Sequence, residues 1–193
     1  MIYKEYASLL GTSTADSQAN RATNSTASTS SNQSLLPIVT GGGTGTFDLD
    51  PGAATLTDLQ AGSYIFMDAQ YAEVWEADAE RVPFATALFV QTTVISANHP
   101  GLATTDAGLK SFATDAGPPR IVAGAPEGTR YVLGSDEQGK LELTPGHALQ
   151  PGAVLTCAVP HCDPTVNLYD HFVCIRNDRV EAIWPVTARG AVW

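Results

Sequence analysis

Positive charge is scarce in this chain. Its 193 residues hold 10 Lys and Arg against 20 Asp and Glu, a formal net charge of −10. Such a surface is a poor match to a phosphate backbone, so nucleic acid is not an expected partner. Long apolar runs are lacking too. No run of about 18 apolar residues occurs, so no membrane-spanning helix is expected. Cysteine is sparse and odd in number: Cys157, Cys162 and Cys174. That set fits a reducing, cytoplasmic setting better than a disulfide framework. The N-terminal "MIYKEYASLL" has an early acid and no long apolar core, so no secretory leader is expected there.

What is present suffices for one sizeable core, with 44% hydrophobic residues. Tyr3, Tyr6, Ala7 and Leu10 fall at helical spacing and Gly11 follows as a stop, which predicts a helix over 1–11. Residues 12–34 are rich in Ser, Thr, Asn and Ala and nearly free of large apolar side chains. They bury too little to offset ordering entropy and read as a flexible insertion. In 35–75, "LLPIVT" reads as a buried strand feeding the glycine-rich "TGGGTGT", and "GSYIFMDAQY" as another strand. Residues 76–193 alternate short Val/Ile/Thr/Phe-rich pieces with turn signals, and "FATALFVQTTVIS" is the clearest strand. This texture predicts a β-barrel or sandwich with little helix.

Two stretches hold residues suited to chemistry. In "TGGGTGT", glycines after a strand let backbone amides approach an anion, and threonine hydroxyls add donors. Without a following Lys-Ser/Thr this is not the nucleotide P-loop pattern, and a flexible turn is the plain alternative. In "VPHCDPTVNLYD", an extended backbone would put His161 and Asp163 on one face and Cys162 on the other. An imidazole and a carboxylate on one face can share a metal, and nitrogen plus oxygen donors favour Mn²⁺ or Mg²⁺ while also suiting Zn²⁺. The alternative is a hydrogen-bonded histidine beside a buried thiol. His171 reads as a packing or rim residue, and His99 and His147 as solvated. Cys157 and Cys174 read as core residues. Asp106, Asp115, Asp136 and Glu137 sit in turns, where acids usually cap amides. Ser63 and Tyr64 could reach a site beside the glycine loop, though a buried strand tyrosine explains Tyr64 equally well.

Several blocks resemble one family in register. "PIVTGGGTGTFDLD", "TDLQAGSYIFMDAQY", "TDAGLKSFATDAGPP", "GSDEQGKLEL" and "PHCDPTVNLYDHFVCIRNDRVEAIWPVTARG" are similar to the C-terminal part of the D-threonine aldolase and D-serine dehydratase family. These are pyridoxal-phosphate enzymes with an alanine-racemase-like fold. The resemblance spans about 35–190. It implies a mainly β fold, with a C-terminal β-barrel or sandwich domain (76–193) preceded by a remnant of a (β/α)₈ barrel, its last helix and strand. It implies that Gly41, Gly42, Gly43 and Thr44 hold the cofactor phosphate, with Gln60 and Tyr64 in or near that pocket. It also implies that His161 and Asp163 bind a divalent metal. His-x-Asp resembles the aldolases, which use Mn²⁺-type ions, whereas His-x-Cys resembles the zinc dehydratases.

The implied reaction is retro-aldol cleavage of a β-hydroxy-D-amino acid to glycine and an aldehyde. A D-serine dehydratase-type ammonia-lyase is the alternative, and a non-catalytic β-domain binding a metal or a partner is the alternative of another class. A homodimer is the family's expected state. Two departures stand out. Gln138 stands where the resemblance implies a histidine. The lysines are Lys4, Lys110 and Lys140, and none matches the family's Schiff-base lysine, so this chain alone is expected to be inactive.

Overall fold

The structure is a computed structural model that describes residues 2–4, 38–53, 55–75 and 84–191. The predicted insertion at 12–34 lies outside the described residues. In chain order the elements are β1 (Ile2–Lys4), β2 (Thr40–Gly41), β3 (Asp58–Leu59), α1 (Ala69–Trp75), β4 (Leu88–Ser96), β5 (Leu102–Thr105), β6 (Arg120–Ala123), β7 (Arg130–Leu133), β8 (Gly139–Glu142), β9 (Val154–Ala158), α2 (Cys162–Val166), β10 (His171–Arg176) and β11 (Arg179–Pro185). The fold is mainly β with few helices, as the sequence predicts. The pieces read as strands from 88 onward form strands.

Nine strands share one curled sheet. Its main path runs β11-β10-β1-β4-β5-β8-β7, and β9 pairs with both β4 and β6. β4 is the organising strand. Phe89 pairs with Ile2 of β1 and with Ala158 of β9, and Val94 pairs with Thr105 of β5. The register shifts between Val94 and Ser96. A bulge of this kind bends a strand, which suits one that changes partners along its length.

Period-two alternation explains which face of β4 is inside. Leu88, Val90, Thr92 and Val94 are buried, whereas Gln91 and Ile95 are exposed, and Phe89 on the other face is buried too. Leu88, Val90 and Val94 meet Leu141, Leu155, Cys157, Val159 and Phe112 in one core cluster. Tyr131 crosses this core with its polar end satisfied. Its hydroxyl lies 2.6 Å from Thr105 Oγ1 and donates to the Ala107 carbonyl at 2.6 Å. Burying a leucine such as Leu155 stabilises the fold by the amount its truncation removes, about 2–5 kcal/mol.

Three local readings change. Residues 2–4 form a strand between β4 and β10, where the spacing predicts a helix over 1–11. Ladder pairing on both sides overrides a periodicity carried by so few residues. Residues 5–11 lie outside the described residues. "GSYIFMDAQY" is a 3-10 turn at Ser63–Ile65 followed by α1. Asp68 directs that helix: its Oδ1 accepts from the Tyr71 amide at 2.8 Å, satisfying one of the donors a helix start leaves free. Of "LLPIVT", Ile38 is 84% exposed, so the described part is no buried strand.

Candidate metal and phosphate site

β9 delivers the chain to the site. Beyond its end, the carbonyls of Val159 and Pro160 accept from the Ala69 and Gln70 amides at 2.9 and 3.1 Å, which seats the start of α1. His161 follows in extended conformation and α2 begins at Cys162. So the expected straight strand is corrected: His161 is the N-cap of a short helix. Pro164 suits a first turn, where a missing N–H is harmless, and Asp163 suits a helix start electrostatically. Thr165 Oγ1 closes the turn by donating to the His161 carbonyl at 2.6 Å.

His161 and Asp163 nevertheless converge, with Nε2 3.7 Å from Oδ2. Two donors at that spacing can share one cation, whose bonds to each run about 2.1 Å. The residues therefore fit a divalent metal, with nitrogen and oxygen donors. No group of three or more His, Cys, Asp or Glu side chains that could hold a metal occurs among the described residues. The remaining positions would fall to water or substrate, the pattern of a catalytic site.

The partners around the pair are ordered. On the far side of the imidazole, Nδ1 lies 2.6 Å from Asp115 Oδ2. That hydrogen bond holds the Asp115 carboxyl below the usual carboxylate range. The sequence predicts that Asp115 caps a turn amide; its carboxylate instead meets the candidate metal histidine across 46 residues. Asp106 does behave as expected, accepting from the Thr93 amide at 2.8 Å. Ser63 Oγ donates to Asp163 Oδ1 at 3.0 Å, and the Cys162 thiol donates to the same oxygen at 3.1 Å. Burial, and then the nearby carboxylates, push the Cys162 thiol up, so it is a proton donor here rather than a thiolate ligand. Asp68, fully buried, accepts the Cys162 amide at 2.8 Å and so ties α2 to the start of α1. Tyr71 on α1 meets the His161 ring edge-on at 6.4 Å.

The glycine loop adjoins this site through Ser63 and Tyr64. The Tyr64 amide donates to buried Thr44 Oγ1 at 3.1 Å, and the Gln60 amide donates to the Gly41 carbonyl at 2.9 Å. The Tyr64 ring is 41% exposed and packs on Phe84, so it is no buried strand residue. Gly42 has φ +74°, and a Cβ there would overlap the Asp50 carboxylate. A Cβ at Gly43 would meet open space. Among the described residues, the amides of Gly43, Thr44 and Gly45 have no acceptor. Three such amides, with open space at Gly43, fit the phosphate end of a cofactor. Among the described side chains, both lysines are paired with carboxylates rather than offered to the aldehyde end. Lys110 Nζ is held by Glu137 at 2.9 Å and Lys140 Nζ by Glu142 at 2.8 Å.

Other residues lie elsewhere. His99 and His147 line a separate hollow of about 420 Å³ beyond the Ser96 end of β4, and His171 is exposed at the start of β10. Gln138 accepts from the Ser135 hydroxyl at 2.8 Å on the surface. Cys157 and Cys174 are buried, as expected. No helix among the described residues is long and apolar enough to cross a membrane.

A curled β-sheet carrying a His-Asp pair beside a glycine loop defines a type of domain, and comparison with known proteins places it. Residues 87–175 match the family described as "Putative serine dehydratase domain". The chain is 44% identical over 154 residues to the D-threonine aldolase of Arthrobacter sp, covering 79% of this chain and 39% of that protein. It is 40% identical over 162 residues to the 3-hydroxy-D-aspartate aldolase of Paracoccus denitrificans (strain Pd 1222), covering 82% and 41%. The crystal structure of D-threonine aldolase from Filomicrobium marinum superposes with a TM-score of 0.73 at 40% identity, covering 81% of this chain and 42% of that one. The chain thus corresponds to the C-terminal portion of the D-threonine aldolase and D-serine dehydratase family. It spans about two fifths of the length of these relatives.

Proposed function

We propose that this chain supplies the metal-holding and phosphate-holding part of a pyridoxal-phosphate- and divalent-metal-dependent lyase. Its substrates would be β-hydroxy-D-amino acids, cleaved between Cα and Cβ to glycine and an aldehyde. The observation that carries the reading is the His161–Asp163 pair, 3.7 Å apart and flanked by Asp115 and Ser63, on a chain similar to two aldolases.

His161 and Asp163 would hold the cation, with Mn²⁺ favoured by the donor set and Zn²⁺ also fitting. A metal there would lower the pKa of a substrate hydroxyl, and pyridoxal phosphate would supply the electron sink that Cα–Cβ cleavage needs. Gly41, Gly42, Gly43 and Thr44 would seat the phosphate, with Gln60 and Tyr64 holding that loop against the Ser63 segment. Ser63 and the Cys162 thiol engage Asp163 Oδ1, which leaves Oδ2 turned toward His161. Asp163 in place of a cysteine favours aldol cleavage over the dehydratase alternative, which the description of the matched family keeps open.

The covalent link to the cofactor would come from a lysine outside this chain. The chain alone, given pyridoxal phosphate and Mn²⁺, is expected to show no lysine-linked absorbance band and no cleavage of D-threonine. Robust turnover by the chain alone would overturn this reading.

A further inference from the structure

We infer that Asp115 is a positioning residue that sets which nitrogen of His161 faces Asp163. The inference deepens the cation reading above and rests on it.

The geometry is specific. Asp115 Oδ2 lies 2.6 Å from Nδ1, whereas Asp163 Oδ2 lies 3.7 Å from Nε2, so the two acids flank opposite sides of one ring. An ionised carboxylate only accepts, so Nδ1 must donate. A neutral imidazole with its proton on Nδ1 presents a lone pair at Nε2, the form a cation needs. Asp115 cannot ligate the same ion as Nε2, because it engages the opposite nitrogen.

The bond to His161 is the largest influence on the Asp115 carboxyl, ahead of its contact with its own backbone amide. Asp115 opens the Asp-Ala-Gly turn of 115–117, and its side chain is 54% exposed, so the fold does not need it to fill space. The His161 side chain is only 21% exposed and is packed edge-on by Tyr71. That packing limits ring position, while the Asp115 bond selects the tautomer. A carboxylate behind a ligating imidazole also raises its basicity, and losing such a partner typically weakens metal affinity by about 10–100-fold.

The test uses the full 193-residue chain labelled with ¹⁵N-histidine at mildly alkaline pH, with His161→Ala assigning the resonances. Without metal, long-range ¹H–¹⁵N spectra are expected to show His161 protonated at Nδ1. Asp115→Ala is expected to give a tautomer mixture, and Mn²⁺ affinity, read from the free-ion EPR signal, is expected to fall about 10–100-fold. Asp115→Asn keeps a carbonyl acceptor and is expected to restore much of the Nδ1–H form. Unchanged tautomer and unchanged Mn²⁺ affinity in folded Asp115→Ala would overturn the inference. A wild-type chain that binds no Mn²⁺ yet shows the tautomer shift would overturn the cation reading while upholding the role of Asp115 toward the ring.

Discussion

Ser63 Oγ donates to Asp163 Oδ1 at 3.0 Å across 100 residues of chain. The next residue, Tyr64, gives its amide to Thr44 of the glycine loop at 3.1 Å. Two adjacent residues thus join the candidate phosphate seat to the candidate cation pair. Ser63→Ala removes one of the two donors that engage Oδ1 and frees the carboxylate to turn. A hydrogen bond to a charged group contributes about 1.5–3 kcal/mol when sheltered and less when the acceptor is exposed, as Asp163 is. Mn²⁺ binding is expected to weaken roughly 3–10-fold on that basis, with little change in melting temperature. Equal affinity in wild type and variant would contradict this role for Ser63.

The glycines of the loop separate structural from functional need. Gly42→Ala forces a Cβ into a left-handed conformation and onto the Asp50 carboxylate, so it is expected to destabilise the protein by at least about 1–2 kcal/mol in thermal unfolding. Gly43→Ala meets open space and is expected to leave the melting temperature nearly unchanged. Its methyl group would occupy the open face beside the free amides, so binding of inorganic phosphate, followed by ³¹P NMR, is expected to weaken. Phosphate binding that is indifferent to Gly43→Ala would place the anion elsewhere.

All three cysteines are buried, and burial pushes the Cys157 thiol up to about 12. Thiolate is the reactive form, so folded protein is expected to resist alkylation at mildly alkaline pH. Unfolded protein should react at all three positions. Rapid labelling of Cys162 in the native state would contradict its placement as a protonated donor to Asp163.

Alkaline stability follows from the same burial. Desolvation raises Tyr131 and Tyr169 to about 12 from 10.0, and Cys157 to about 12 from 9.0. The folded state therefore keeps protons that the unfolded chain releases. Their contribution is fully present below about pH 9 and is lost as pH climbs toward 12. Denaturant midpoints are expected to fall steadily across that window, and Tyr131→Phe should flatten part of the slope.

Much of the fold was legible because strand alternation is local. The Val, Ile, Thr and Phe of "FATALFVQTTVIS" mark β4 as a strand from local sequence alone. The short helix at Cys162 is only faintly marked: Pro164 and Asp163 are ordinary first-turn residues, but they equally suit a loop. The strand at Ile2–Lys4 was illegible locally, since its partners on β4 and β10 lie far along the chain. Asp115 was hidden for the same reason. Only tertiary packing brings it to His161, and a turn aspartate has no local mark that distinguishes a histidine partner from an amide. The straight strand expected at His161 and Asp163 gives way to a different backbone. The two residues converge by a cap and a helical turn instead of by strand alternation.

The most direct measurement is a Mn²⁺ titration of the 193-residue chain near neutral pH, with free ion read by EPR, in wild type, His161→Ala and Asp163→Ala. One saturable site is expected in wild type, with its loss in both variants, each of which remains folded. A wild-type site whose affinity is unchanged by either substitution would contradict the cation reading.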